Sequence, residues 1–122
     1  MFEYKKVSIL GTEYNIETHK ISEDDVLKKN HWCGYCSEET KEIVVADMSE
    51  DEYFPDMTDD EKDSYRKKTL RHEIMHAFLN ESGLCDSALV FDEAWPKNEE
   101  MVDWFAIQSP KIYNAFKMAG CI

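Results

Sequence analysis

The sequence predicts an α+β fold, in which a small antiparallel β-sheet packs on one long helix and C-terminal helices complete the core. Three observations lead there: apolar residues alternating around a glycine near the start, a β-branched run further on, and helical apolar spacing behind a strong cap. With 122 residues the chain suffices for one hydrophobic core, so a single domain spanning residues 1–122 is expected.

Val7 and Ile9 alternate with polar positions, as do Tyr14, Ile16 and Thr18, and Gly11-Thr12 between them suits a two-residue hairpin turn with glycine first. Ser22-Glu23-Asp24-Asp25 resembles an acidic helix start, with Val26 and Leu27 anchoring one or two short turns. Asn30 to Ser37 reads as a loop. Glu42-Ile43-Val44-Val45-Ala46-Asp47 is rich in β-branched residues and bounded by charge, so it is expected to be a third strand. Glu50 to Asp63 is acidic and contains Pro55; it reads as a solvated loop running into a helix, because it lacks the glycine and ligand spacing of a calcium loop.

Thr58-Asp59-Asp60-Glu61 has the form of a capping box, and its acids suit the positive end of a helix dipole. Leu70, Ile74, Ala77 and Phe78 follow as a core-facing stripe, and Gly83 supplies a left-handed stop. A helix from about Asp59 to about Ser82 follows. Pro96 can open another, carrying Val102, Phe105 and Ala106, until Ser109-Pro110 interrupts or kinks it. A last helix is expected from Pro110 to about Ala119. Trp95, Trp104, Phe105 and Tyr113 are core candidates by their spacing.

Composition narrows the functional classes. With 43% hydrophobic and 12% aromatic residues the chain is of the packed globular type. Its 26 acidic and 14 basic residues give a formal charge of -12, a field that repels phosphate backbones and anionic lipid, so neither nucleic acid nor membrane is expected as a partner. No signal-peptide pattern or membrane-length apolar run is evident, which makes a cytoplasmic location the expectation and leaves Cys33, Cys36, Cys85 and Cys121 as thiols. Cys33 and Cys36 read as turn cysteines, since no second close pair completes a zinc ribbon. His31, beside Trp32, reads as a surface residue.

Within the long helix lies His72-Glu73-Ile74-Met75-His76, an HExxH pattern. Histidines one turn apart lie on one helix face, so both imidazoles can converge on one zinc ion. Glu73 can reach a water on that ion without being a ligand, the placement of a general base. At average residue usage the pattern arises by accident in roughly one chain of this length in a few hundred. Its setting in a capped amphipathic helix weighs further against accident. A catalytic zinc takes three protein ligands, and Glu99-Glu100-Met101-Val102-Asp103 offers the third. Glu99 is the first candidate and Glu100 its rival. Asp103, one turn from Glu99, can orient a ligating histidine through its other ring nitrogen.

HExxH followed on a later helix by ExxxD resembles the thermolysin-like gluzincins. Arg71-His72-Glu73-Ile74-Met75-His76-Ala77-Phe78 with Asp103-Trp104-Phe105-Ala106 is more similar to the ImmA/IrrE-type metallopeptidases and small phage or prophage proteins related to them. The resemblance implies a zincin-like fold, a zinc-dependent peptidase activity on peptide or protein substrates, His72, His76 and Glu99 as ligands, Glu73 as base and Asp103 behind a ligand. It also implies that the strand at Glu42 to Asp47 forms an edge able to hold an extended peptide. Two other functions compete: a non-catalytic, zinc-stabilised binding protein, and a DNA-repair protease of the SprT-like kind, against which the charge counts.

Overall fold

The computed structural model describes residues 5–84 and 97–122. Its elements are β1 (Lys6–Ile9), β2 (Thr12–His19), a 3-10 turn (Ile21–Glu23), α1 (Asp25–Asn30), β3 (Gly34–Ser37), β4 (Glu42–Ala46), α2 (Asp59–Glu81) and α3 (Glu99–Met118). The α+β class is as expected. The expectations for Cys85, Trp95 and Pro96 lie outside the described residues.

The N-terminal hairpin forms with a shifted turn. Ile9 pairs with Thr12, so the turn residues are Leu10 and Gly11, both at positive φ (49° and 88°), as a type I′ hairpin turn demands. The sheet is mixed and not purely antiparallel: its order is β1-β2-β4-β3, and β2 pairs parallel with β4. The cause is the segment between them, which carries α1 and is long enough to return the chain for a parallel partner. The expected loop from Asn30 to Ser37 contains β3, which pairs antiparallel with β4 and places β4 inside the sheet. The edge is therefore β3 and not the run at Glu42 to Asp47. Its Gly-Tyr-Cys-Ser sequence lacks the β-branched signal, and pairing with β4 makes it a strand.

Burial of β4 on both faces explains its unbroken apolar run. Ile43 joins Ile9, Tyr14 and Ala77 in a cluster flanked by Leu70, Ile74 and Phe78, the predicted stripe of α2. Val44 and Ala46 face the other way, into a cluster with Leu27 of α1, Met48 and Phe54. Phe54 is only 6% exposed, so the acidic stretch after β4 is anchored into the core and is not wholly solvated. Asp24 caps α1, accepting from the Val26 and Leu27 amides while also receiving His19 Nδ1 and the Tyr35 hydroxyl. Thr58 caps α2 by accepting the Glu61 amide at 3.1 Å.

The C-terminal region is one continuous helix, not two separated at Pro110. Proline removes the amide that would donate to the carbonyl one turn earlier, that of Ala106. Arg71 Nε of α2 donates to that carbonyl instead, at 2.6 Å. The replacement donor lets α3 run through its proline and fastens it to α2. Val102 and Ala106 are buried there, whereas Trp104, Phe105 and Tyr113 stand exposed and do not form the expected core. No described helix is long and apolar enough to cross a membrane.

The far end of α2 is tied to the sheet by Glu81. Its carboxylate accepts from Lys41 Nζ and the Tyr14 hydroxyl, both at 2.6 Å, and from Thr12 Oγ1 at 3.0 Å. Lys41 first and Tyr14 second hold the Glu81 carboxyl down to about 2, against the opposing effect of burial. A depressed carboxyl contributes stability that is complete above its unfolded value and lost as pH falls through the folded one. Thermal unfolding should therefore show Glu81→Gln less stable than wild type at pH 7, with the gap closing between about pH 4.5 and pH 2. A gap independent of pH would remove the charge from this role.

Candidate metal centre

Glu73 and Ala77 are the buried residues of α2, and the histidines flank them on the side where α2 meets α3. His72 and His76 expose only 16% and 13% of their side chains. Their Nε2 atoms stand 3.1 Å apart, and Glu99 of α3 closes the triangle: Oε2 lies 2.9 Å from His72 Nε2 and Oε1 3.1 Å from His76 Nε2. On its other side His72 Nδ1 donates to Asp103 Oδ1 at 2.6 Å. That bond places the ring proton on Nδ1 and leaves the Nε2 lone pair directed at the triangle.

Two imidazole nitrogens and a carboxylate facing one another invite a cation. One proton can bridge a single side of such a triangle, whereas a metal ion satisfies all three donors at once. With bonds of about 2.0 to 2.1 Å, tetrahedral ligand atoms stand about 3.4 Å apart, so this set need only open by a few tenths of an ångström. The donor set fits a metal.

Two carboxylates compete to be the third donor. The His72, Glu73 and His76 donor atoms all lie within 4.8 Å of one another, a grouping that itself can hold a metal ion. Glu73 Oε1, however, stays 3.8 Å from His72 Nε2, while Glu99 touches both imidazoles. The closer approach favours Glu99 as ligand and leaves Glu73 beside the centre. Glu100, the rival in sequence, is exposed like Glu99 but is not among the groups at the triangle.

Glu73 is 5% exposed. Burial first, and the charges of Glu99 and Asp103 after it, push its carboxyl up to about 8. A cation held by the neighbouring donors would offset those two charges, so the raised value belongs to the metal-free protein.

The opposite wall is β3. A Cβ at Gly34 would lie 2.9 Å from Thr69 Cγ2, 2.9 Å from the Val44 carbonyl oxygen and 3.3 Å from Glu73 Cγ. Only glycine lets the strand press this closely on the helix, and the contact packs the stem of Glu73. Cys33 and Cys36 lie along the same wall. Burial, then the charge of Glu73, pushes the Cys36 thiol up to about 12 in the metal-free protein. Between the walls is a cleft of about 550 Å³. His31 and Trp32 line it as well; His31 is exposed, as expected of a surface residue, and stands at the rim of the cleft.

The structure thus brings together all the residues singled out in sequence: His72, Glu73, His76, Glu99 and Asp103. It adds Gly34, Arg71 and the edge strand, which motif reading missed. The placement of Pro110 one turn after Ala106 was a signal for Arg71, because it frees a carbonyl that needs a donor. No protein-family model, curated protein or solved structure matches this chain.

Two outcomes are expected of this geometry. Glu99→Ala should weaken metal binding by more than Glu100→Ala, measured by competition with a chromophoric chelator; the reverse order would transfer the ligand role to Glu100. Arg71→Leu should cost about 1 to 3 kcal/mol in unfolding free energy, the scale for losing a charged donor to a buried carbonyl, and should weaken metal binding with it. Unchanged metal affinity in a destabilised Arg71→Leu protein would show that the helix junction does not position Glu99.

Proposed function

We propose that this chain is a zinc-dependent peptidase of zincin-like fold, similar in design to the ImmA/IrrE-type metallopeptidases. His72, His76 and Glu99 are the zinc ligands, Glu73 the general base and Asp103 the partner that orients His72. The observation that carries this proposal is the position of Glu73: buried beside three converging donors, yet set back from them. A site serving only to join helices has no use for such a group.

Two imidazoles and a carboxylate suit zinc, and three protein ligands leave the open position typical of catalytic sites. Bound there, zinc would supply Lewis acidity, lowering the pKa of water towards ~7 and polarising a substrate carbonyl. Glu73 accepts the proton of the attacking water and later delivers it to the leaving amine. Asp103 keeps the His72 proton on Nδ1. Gly34 lies close against the stem of Glu73 and so limits its rotation. Among the described strands β3 pairs only with β4, and its other edge can take an extended peptide by backbone hydrogen bonding. A peptide or protein chain is accordingly the substrate class, and the charge of -12 disfavours nucleic acid and anionic membrane.

One feature favours a zinc-held binding module instead: α3 exposes Trp104 (54%), Tyr113 (52%) and Phe116 (46%). One variant separates the two functions. Glu73→Gln should retain zinc and fold, because the amide keeps size and polarity, yet lose hydrolysis of any peptide the wild type cleaves, with the loss falling on kcat more than on KM. Cleavage at the wild-type rate by the Gln protein would exclude Glu73 as the base and favour the binding module.

A further inference from the structure

The cleft continues past the metal centre along α2, towards the N-terminal end of that helix. Lys68 lies one turn before His72 on the same face, and Tyr65 lies before it; both line the cleft, as does Trp32 at the entry to β3. The Tyr65 hydroxyl donates to Cys33 Sγ at 3.6 Å, which fixes this end of the cleft against the edge strand. The four residues from Lys68 to His72 span about 6 Å of helical rise, or roughly two residues of extended peptide.

The carboxylates that line the cleft are Glu73, Glu99 and Asp103, all at the metal centre, and its cations are Lys97, which is already engaged, and Lys68. The other cations of α2 are compensated: Lys62 by Asp51, Arg66 and Lys67 by Asp63, and Arg71 by the Ala106 carbonyl. Lys68 forms no ion pair among the described residues; its ammonium sits 4.8 Å from the centroid of the Tyr65 ring. In a chain with 26 acidic residues, a half-buried lysine left without a carboxylate and held over an aromatic face at a cleft is a ready anion receptor. The acids elsewhere on the surface do not cancel it, because fields beyond about 8 Å are screened at physiological ionic strength.

Building on the peptidase proposal, we infer that Lys68 selects a carboxylate on the substrate, about two residues from the bond to be cleaved, so that the preferred substrates are acidic peptides. The aromatic rings of Trp32 and Tyr65 pack the stem of that side chain, and the ammonium pairs with its end. The recognising chemistry is a carboxylate, supplied by an internal Glu or Asp or by a peptide C-terminus.

The test uses the zinc-loaded full chain and fluorescent peptides with a neutral background. One set is amidated at the C-terminus and carries Glu, Gln or Lys at each position in turn; a further neutral peptide keeps its terminal carboxylate. Hydrolysis is measured with Lys68, Lys68→Gln and Lys68→Glu proteins, and binding by anisotropy with the same three in a Glu73→Gln background. Far-ultraviolet circular dichroism and zinc content check that each variant is folded and loaded. A Glu peptide should be favoured over its Gln counterpart by roughly fivefold, as for a partly exposed ion pair, with the advantage gone in Lys68→Gln and passed to the Lys peptide in Lys68→Glu. The same dependence appearing only for the free terminal carboxylate would identify the chain end as the group recognised. Cleavage that ignores charge, or keeps its preference in Lys68→Glu, would overturn the role of Lys68 while leaving the peptidase intact. Charge-swapped binding without any cleavage would uphold Lys68 and overturn the hydrolysis; neither binding nor cleavage would overturn both.

Discussion

Pro110 withdraws one donor from α3, and the freed Ala106 carbonyl finds its replacement in Arg71, the residue next to His72. A buried carbonyl left without a donor costs on the order of 1 to 3 kcal/mol, enough to fix how the two helices dock. From that junction the rest of the site follows. Asp103 lies one turn nearer the start of α3 and meets His72; Glu99 lies a further turn away and meets both imidazoles. The helix that supplies the third donor is thereby registered against the helix that supplies the first two. Loosening the junction would move Glu99 and Asp103 together.

The other wall depends on a different constraint. Gly34 allows β3 to approach α2 within a distance that no side chain permits, and Glu73 is buried under that contact. Burying a carboxylate is unfavourable by itself, and here two further carboxylates face it. The carboxyl sheds that cost by holding a proton, as its rise to about 8 allows, or by having a cation among the three donors. Strand, helix and charge thus converge on one small volume at the middle of the cleft.

Much of this was legible in the sequence. The HExxH spacing on a capped helix placed His72, Glu73 and His76 on one face, and one-turn spacing placed Glu99 with Asp103; the structure brings all five together. What escaped were features set by non-local contacts. The parallel pairing of β2 with β4 depends on where α1 returns the chain, and β3 is a strand because β4 lies beside it. Gly34 carries no pattern of its own; its importance arises only when Thr69 and Glu73 are seen against it. Pro110 reads as an interruption or kink because helix propensity treats a proline without its neighbours, and the arginine that compensates lies on another element. Trp104, Phe105 and Tyr113 have core-like spacing but stand exposed, since periodicity marks a face without saying what covers it.

The metal centre itself is the central claim, and X-ray absorption at the zinc K-edge on protein reconstituted with one equivalent of zinc addresses it most directly. Two imidazole nitrogens with carboxylate or water oxygens at about 2.0 to 2.1 Å, and no sulfur, are expected in the first shell. A sulfur shell at about 2.3 Å would contradict it, because it would move the ion to Cys33 or Cys36 and leave the histidine triangle without one.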